Sequence, residues 1–141
     1  MDTIFKNQAQ YSINRIDYHL LPIDIEEETF NVNIIPVDSI SIVRRGLKNV
    51  EMIIRRSLML EPVKAYELDV EILIKLDFVD EFDSSTMEDG EIIHVFKKAY
   101  SGLLSAIMAR ASVLISVITG ANGQTPLITQ PYFLEGGSEK V

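Results

Sequence analysis

The chain has 141 residues, 47% of them hydrophobic, which is one domain's worth with enough apolar content to bury a core. Its formal net charge of −8 argues against a nucleic-acid binder, which needs a basic face to meet phosphates. With no cysteine there is no disulfide framework, no thiolate nucleophile and no cysteine zinc site.

The opening MDTIFKNQAQ lacks the apolar run of a secretory signal. Charges interrupt the apolar runs before the roughly 18 residues of a membrane span. The expectation is a cytoplasmic protein with no direct membrane insertion. Residues 10 to 21, QYSINRIDYHLL, alternate in two phases: Tyr11 and Ile13 share one face, while Ile16, Tyr18 and Leu20 share the other. A strand with a bulge near Asn14 and Arg15 accounts for the change of phase. An acidic link, Asp24-Ile25-Glu26-Glu27-Glu28, follows. Phe30, Val32 and Ile34 then alternate with Asn31 and Asn33 and end at Pro36, as an edge or antiparallel strand does.

Residues 39 to 49, SISIVRRGLKN, are ambiguous, with Gly46 and Asn49 suggesting a turn after a short extended piece. VEMIIRRSLML (50–60) reads as a third strand and Glu61-Pro62-Val63-Lys64 as a turn. Residues 65 to 78 are the clearest strand. Leu68, Val70, Ile72, Ile74 and Leu76 face one side; Glu67, Asp69, Glu71 and Lys75 face the other, one for the core and one for water. VDEFDSSTMEDG (79–90) is an acidic linker.

From Ile92 the apolar period changes to 3.6: Ile92, Phe96, Tyr100, Leu103, Leu104, Ile107, Met108, Ala111, Leu114, Ile115 and Ile118. This predicts one helix to Thr119, roughly 28 residues and about 42 Å long. An ordinary sheet of short strands spans about 20 Å, so such a helix overshoots it. Between 103 and 119 the one charge is Arg110, and a helix apolar all round needs cover all round. The expectation is an oligomer built through Leu103, Ile107, Leu114, Ile115 and Ile118. Gly120 reads as a left-handed residue closing the helix, Asn122-Gly123 as a turn pair, and Pro126 and Pro131 as stops that leave PLITQPYF extended. GGSEKV reads as a disordered end, so that residues 1–134 form one domain and 135–141 a tail.

Four strands, a long helix, a glycine turn and a proline-spaced extended segment resemble the SecB protein-export chaperones. Ile13-Asn14-Arg15-Ile16 looks like the family's first-strand pattern. Ala109-Arg110 resembles the Ala-Arg of its long helix, and Gly123-Gln124-Thr125-Pro126 with Pro131 and Phe133 is similar to its closing motif. The likeness spans about residues 8 to 133. Three departures stand out. Both the Pro126–Pro131 and Pro131–Phe133 spacings are one residue shorter than in typical members. The proline ahead of Ala-Arg is missing. Family members continue into a second helix where this sequence has eight residues after Phe133.

The resemblance implies an α+β fold: a four-stranded antiparallel sheet followed by one long helix packed on it, assembled as a dimer or dimer of dimers (a homotetramer). It also implies an ATP-independent holdase for unfolded polypeptide clients, serving protein export by delivery to the SecA translocase motor. The alternative is a SecB-like interaction protein dedicated to one partner, such as an antitoxin. Apolar side chains near strand ends and in the linker, Phe30, Met52, Phe78, Phe82 and Met87, are candidates for client binding, since such surfaces hold chains by burying area and methionine adapts its shape. Asp24, Glu67, Asp69 and Glu71 are candidates for docking the basic module of SecA. No nucleophile elbow, phosphate loop or dinucleotide fingerprint is present, and His19 and His94 read as solvated side chains, so no enzyme activity, cofactor or metal is expected.

Overall fold

Tyr66–Phe78 alternates buried and wetter residues along its whole length, and this strand, β4, lies inside the sheet. The computed structural model describes residues 4–20, 33–61, 66–121 and 126–135. β1 (Phe5–Leu20), β2 (Asn33–Arg45) and β3 (Asn49–Glu61) join β4 in one antiparallel sheet of order β1-β4-β3-β2. A 3₁₀ turn (Ser84–Thr86) leads into α1 (Asp89–Ala99) and α2 (Ser101–Gly120), which pack on one face.

Residues that pair across antiparallel strands share a face, so the register assigns every position. Tyr11, Ile13, Ile16, Tyr18 and Leu20 of β1 pair with Ile74, Ile72, Val70, Leu68 and Tyr66 on the helix side. Asn14 is the extra residue between the Ile13–Ile72 and Arg15–Glu71 pairs, which places the bulge where the change of phase put it.

β2 differs from its expected form. Pro36 lies within the strand, paired with Leu58, and the ambiguous stretch after it continues the ladder to Arg45. β2 is an edge strand, the place in a sheet where a proline is tolerated because an outward-facing N–H has no ladder partner to lose. The Gly46 N–H then donates to the Asn49 carbonyl at 2.9 Å and closes the turn into β3. Phe30, Val32, the acidic link with Asp24, the 62–65 turn, the 122–125 motif and residues 136–141 lie outside the described residues.

The predicted single helix is two. Tyr100, with φ −119° and ψ 36°, leaves helical geometry between α1 and α2. Its hydroxyl donates to the Lys6 carbonyl, and its ring meets Phe5 and Phe96, each at 5.8 Å between centroids. Tertiary packing of an aromatic thus sets the break, with no proline involved.

Nor does the helix overshoot the sheet. β2, β3 and β4 have 13 residues each, about 43 Å at ~3.3 Å per residue. α2 has 20 residues, about 30 Å at ~1.5 Å each. α2 is, by length and composition, long and apolar enough to cross a membrane, contrary to the expectation that charges break every such run. Core helices meet the same test, and Leu104, Ile107, Met108, Ala111 and Ile115 of α2 are buried in the chain's own core.

Gly120 is the last helical residue and not a left-handed cap; Ala121 after it is right-handed. Its lack of a side chain serves a close approach, since a Cβ there would stand 2.9 Å from Pro126 Cγ. From Pro126 the chain returns over the sheet.

Candidate functional site

Three regions combine exposure with specific chemistry. The first is the outer side of α2. Val113 and Val117 are 63% and 65% exposed, while Ile13 and Leu20 on the helix side of β1 are 47% and 57% exposed, because α2 does not reach over that edge. Ile13, Ala106, Ala109, Arg110, Val113 and Leu114 line an open groove of roughly 520 Å³ there. The Arg110 guanidinium lies 5.7 Å from the Tyr11 ring centroid, which places one charge in the groove's otherwise apolar lining.

This corrects the predicted interface. Ile107 and Ile115 are fully buried against the sheet and have no surface to offer another chain. Leu103, Leu114 and Ile118 are half-buried at the flanks. The uncovered side is turned from the predicted one, towards Ala106, Val113 and Val117.

The second region is the end of the sheet near the β4–α1 linker. Leu47, 75% exposed, borders a shallow hollow of about 280 Å³ with Lys48 and residues 80–84. Phe82 is half-buried, its ring 4.9 Å from Phe78, and Met87 is half-buried beyond it. Arg45 holds this linker: it pairs with Asp89 at 2.7 Å and donates to the Ser84 and Met87 carbonyls. Asp83 caps the 3₁₀ turn. Hydrogen bonds from the Ser85 hydroxyl and then the Ser85 N–H hold its carboxyl below the usual range.

Met52 and Phe78, expected to bind clients, are 0% and 1% exposed. Phe78 stacks on Phe5 at 5.8 Å, within the aromatic cluster that fixes the sheet end. Both are core residues, because their strand phase is that of the helix-covered face. Of the five apolar candidates, Phe82 and Met87 remain at a surface, and Phe30 lies outside the described residues.

The third region is the uncovered face of the sheet. Glu67, Asp69 and Glu71 do share it, but they are not bare charge. Arg55 Nη2 reaches Asp69 Oδ1 at 3.0 Å, the Ser57 hydroxyl also donates to that oxygen, and Asn14 Nδ2 donates to Glu71 at 3.2 Å. Glu67, opposite His19, is the exposed member of the row. Among the described residues, no group of three or more acidic or histidine side chains is arranged to hold a metal ion.

Sequence reasoning missed Arg56 and Asp38, both with 0% side-chain exposure. Arg56 Nε and Nη2 donate to the two Asp38 carboxylate oxygens, each at 2.7 Å. The signal was present: Arg56 shares strand phase with Met52, Ile54 and Leu58, and Asp38 with Ile40 and Ile42. Two opposite charges stood at core positions of strands that pair. Elsewhere burial acts on tyrosines: it raises the Tyr66 hydroxyl, with neighbouring Tyr18 adding to it, and it raises the Tyr100 hydroxyl.

No protein-family model matches the chain, and no curated protein matches it. Among solved structures it is similar to a Mycobacterium tuberculosis SecB-like chaperone in complex with a ChAD peptide from the HigA1 antitoxin. That likeness has 14% identity, covers 86% of this chain and 89% of that one, and has a TM-score of 0.56. A Streptococcus agalactiae protein of unknown function aligns at 12% identity over 87% of this chain and 97% of that one, with a TM-score of 0.33. The chain therefore has the α+β fold of a SecB-like chaperone.

Proposed function

We propose that this protein is an ATP-independent, non-catalytic holdase for non-native polypeptides, assembled as a dimer or dimer of dimers through the outer side of α2. The observation that carries the reading is uncovered apolar surface on a SecB-like fold: Ile13, Val113 and Val117 beside one groove and Leu47 beside the Phe82 hollow. Val113, Val117 and the flanking Leu103, Leu114 and Ile118 serve self-association. Phe82 and Met87 serve clients, together with Phe30 as predicted from sequence. Such surfaces bind by area and adaptable shape, which tolerates many sequences. Glu67, Asp69, Glu71 and Asp24 are proposed to meet a basic module of the SecA motor, and the place of action is the cytoplasm.

A second reading is a chaperone dedicated to one partner. The Mycobacterium tuberculosis neighbour, whose structure contains an antitoxin peptide, favours it. Capture from the native cytosol, with the retained proteins identified, tests both. Many unrelated export precursors support the first reading, and one stoichiometric toxin–antitoxin pair supports the second. Retention of a folded metabolic partner alone overturns both.

A further inference from the structure

Residues 126–135 lie across the helix-covered face as a strap, and the buried Asp38–Arg56 pair holds them. Arg56 has five N–H donors. Asp38 takes two, and the strap takes the others: Nη1 donates to Thr129 Oγ1 at 3.0 Å and to the Gln130 carbonyl, and Nη2 donates to the Tyr132 carbonyl at 2.8 Å. The Leu134 N–H returns a bond to Asp38 Oδ2 at 2.8 Å. α2 adds two more contacts: the Ser112 hydroxyl donates to the Thr129 carbonyl at 2.7 Å, and Thr119 Oγ1 accepts from the Leu127 N–H at 2.8 Å.

The hydrogen bonds of the Asp38–Arg56 pair and α2 to the strap go mainly to main chain. Leu127, Thr129, Gln130, Tyr132 and Leu134 are held by backbone groups; Thr129 also bonds through its side chain, Leu127 and Phe133 pack on the core, and Lys97 Nζ lies 4.7 Å from the Phe133 ring and 3.0 Å from the Glu135 carboxylate. The strap is thin: Ile128 and Tyr132 are 77% and 55% exposed, and Thr129 is its buried residue. Beneath it the guanidinium is fully buried, and a buried donor without an acceptor is costly. A site that supplies buried donors to carbonyls accepts a segment that follows the same backbone path and offers the same carbonyls, favoured where it also carries apolar side chains at the Leu127 and Phe133 positions.

We propose that the Asp38–Arg56 fork, with Ser112 and Thr119, is a receptor for an extended polypeptide segment, which the chain's own residues 126–135 fill until a client segment replaces them. The receptor deepens the holdase reading by giving it a site that recognises extended backbone. Occupancy in cis sets a threshold, since the apparent affinity for an incoming segment scales with the fraction of chains whose strap is open.

The probe is a fluorescent peptide of the strap sequence, PLITQPYFLE, titrated into the full chain. Leu127→Asp with Phe133→Asp loosens the strap in cis without touching the fork. This variant binds the peptide about ten-fold tighter or more than the unmodified chain; equal affinity overturns the proposal. Adding Arg56→Gln to that variant removes the gain, and retained affinity overturns the fork as the receptor. Hydrogen exchange on the unmodified protein gives a second reading that needs no variant to fold. The Leu127 and Leu134 amides exchange about a hundred-fold faster than amides of the β3–β4 ladder, through local opening. Exchange at the ladder rate shows a strap that leaves only on global unfolding, and overturns the proposal. Client capture that persists without peptide exchange defeats the receptor and leaves the holdase reading standing.

Discussion

Arg55 and Arg56 are neighbours in β3, and the pleat sends them to opposite faces of the sheet. Arg55 pairs with Asp69 in the open, with side-chain exposures of 47% and 25%; Arg56 pairs with Asp38 at 0% and 0%. The bonds are similar in form and differ in consequence. In the open, water competes for both groups and salt screens them, so the pair contributes little. In the interior each partner is intolerable without the other, so the pair acts as a condition on the structure. One face of the sheet can therefore change its charges freely, while the other couples its charges to the strap.

The sharpest way to break this comparison is Arg56→Ala. It strands the Asp38 carboxylate and is expected to cost about 3–5 kcal/mol in urea denaturation. Asp38→Leu combined with Arg56→Met is expected to recover most of that loss while freeing the strap amides to exchange. A loss below about 1 kcal/mol for the single variant erases the contrast with Arg55.

Two phenylalanines in ring contact extend the contrast to apolar side chains. Phe78→Ala is expected to cost about 3–5 kcal/mol, as truncation of a core ring does. Phe82→Ser is expected to keep most of the stability and to weaken capture of an unfolded protein, with circular dichroism run beside the binding assay. Equal melting losses for both assign Phe82 to the core.

On α2, Val113→Asp is expected to shift the light-scattering mass of an oligomer to the monomer's 15.9 kDa with the helix signal unchanged. An unmodified chain already monomeric removes the proposed interface.

The smallest effect belongs to the open face. Asp69→Asn is expected to change stability by at most about 1 kcal/mol, the range of exposed pairs. Glu67→Lys, at the exposed end of the row, is expected to slow association with a SecA motor, most at low salt. Unchanged binding at low and moderate salt reduces the row to a solvated face.

β4 was legible because one of its faces is wet and the other dry, so polar and apolar residues alternate without exception from Glu67 to Ile72. The bulge at Asn14 was legible for the same reason, since a slip of one residue shows as a change of phase. β2 was not. Pro36 reads as a stop unless the strand is known to be an edge, and edge position belongs to the topology. The long strands defeated a length argument built on typical ones. The break at Tyr100 leaves little local mark, because it is made by Phe5 and the Lys6 carbonyl, far away in sequence. The helix period identifies the apolar residues of α2 but not which of them face the sheet, and Ile107 and Ile115 face it instead of a partner. Arg56 was readable and was missed. Its phase places a charge among Met52, Ile54 and Leu58, at a core position of the strand.

Capture of non-native chains is the property on which the account rests most. Its direct measurement is fluorescence anisotropy of two unrelated, permanently unfolded, labelled polypeptides titrated with the unmodified full chain in the absence of nucleotide. The account predicts saturable binding of both, weakened for both by Phe82→Ser. Failure to bind either polypeptide contradicts it.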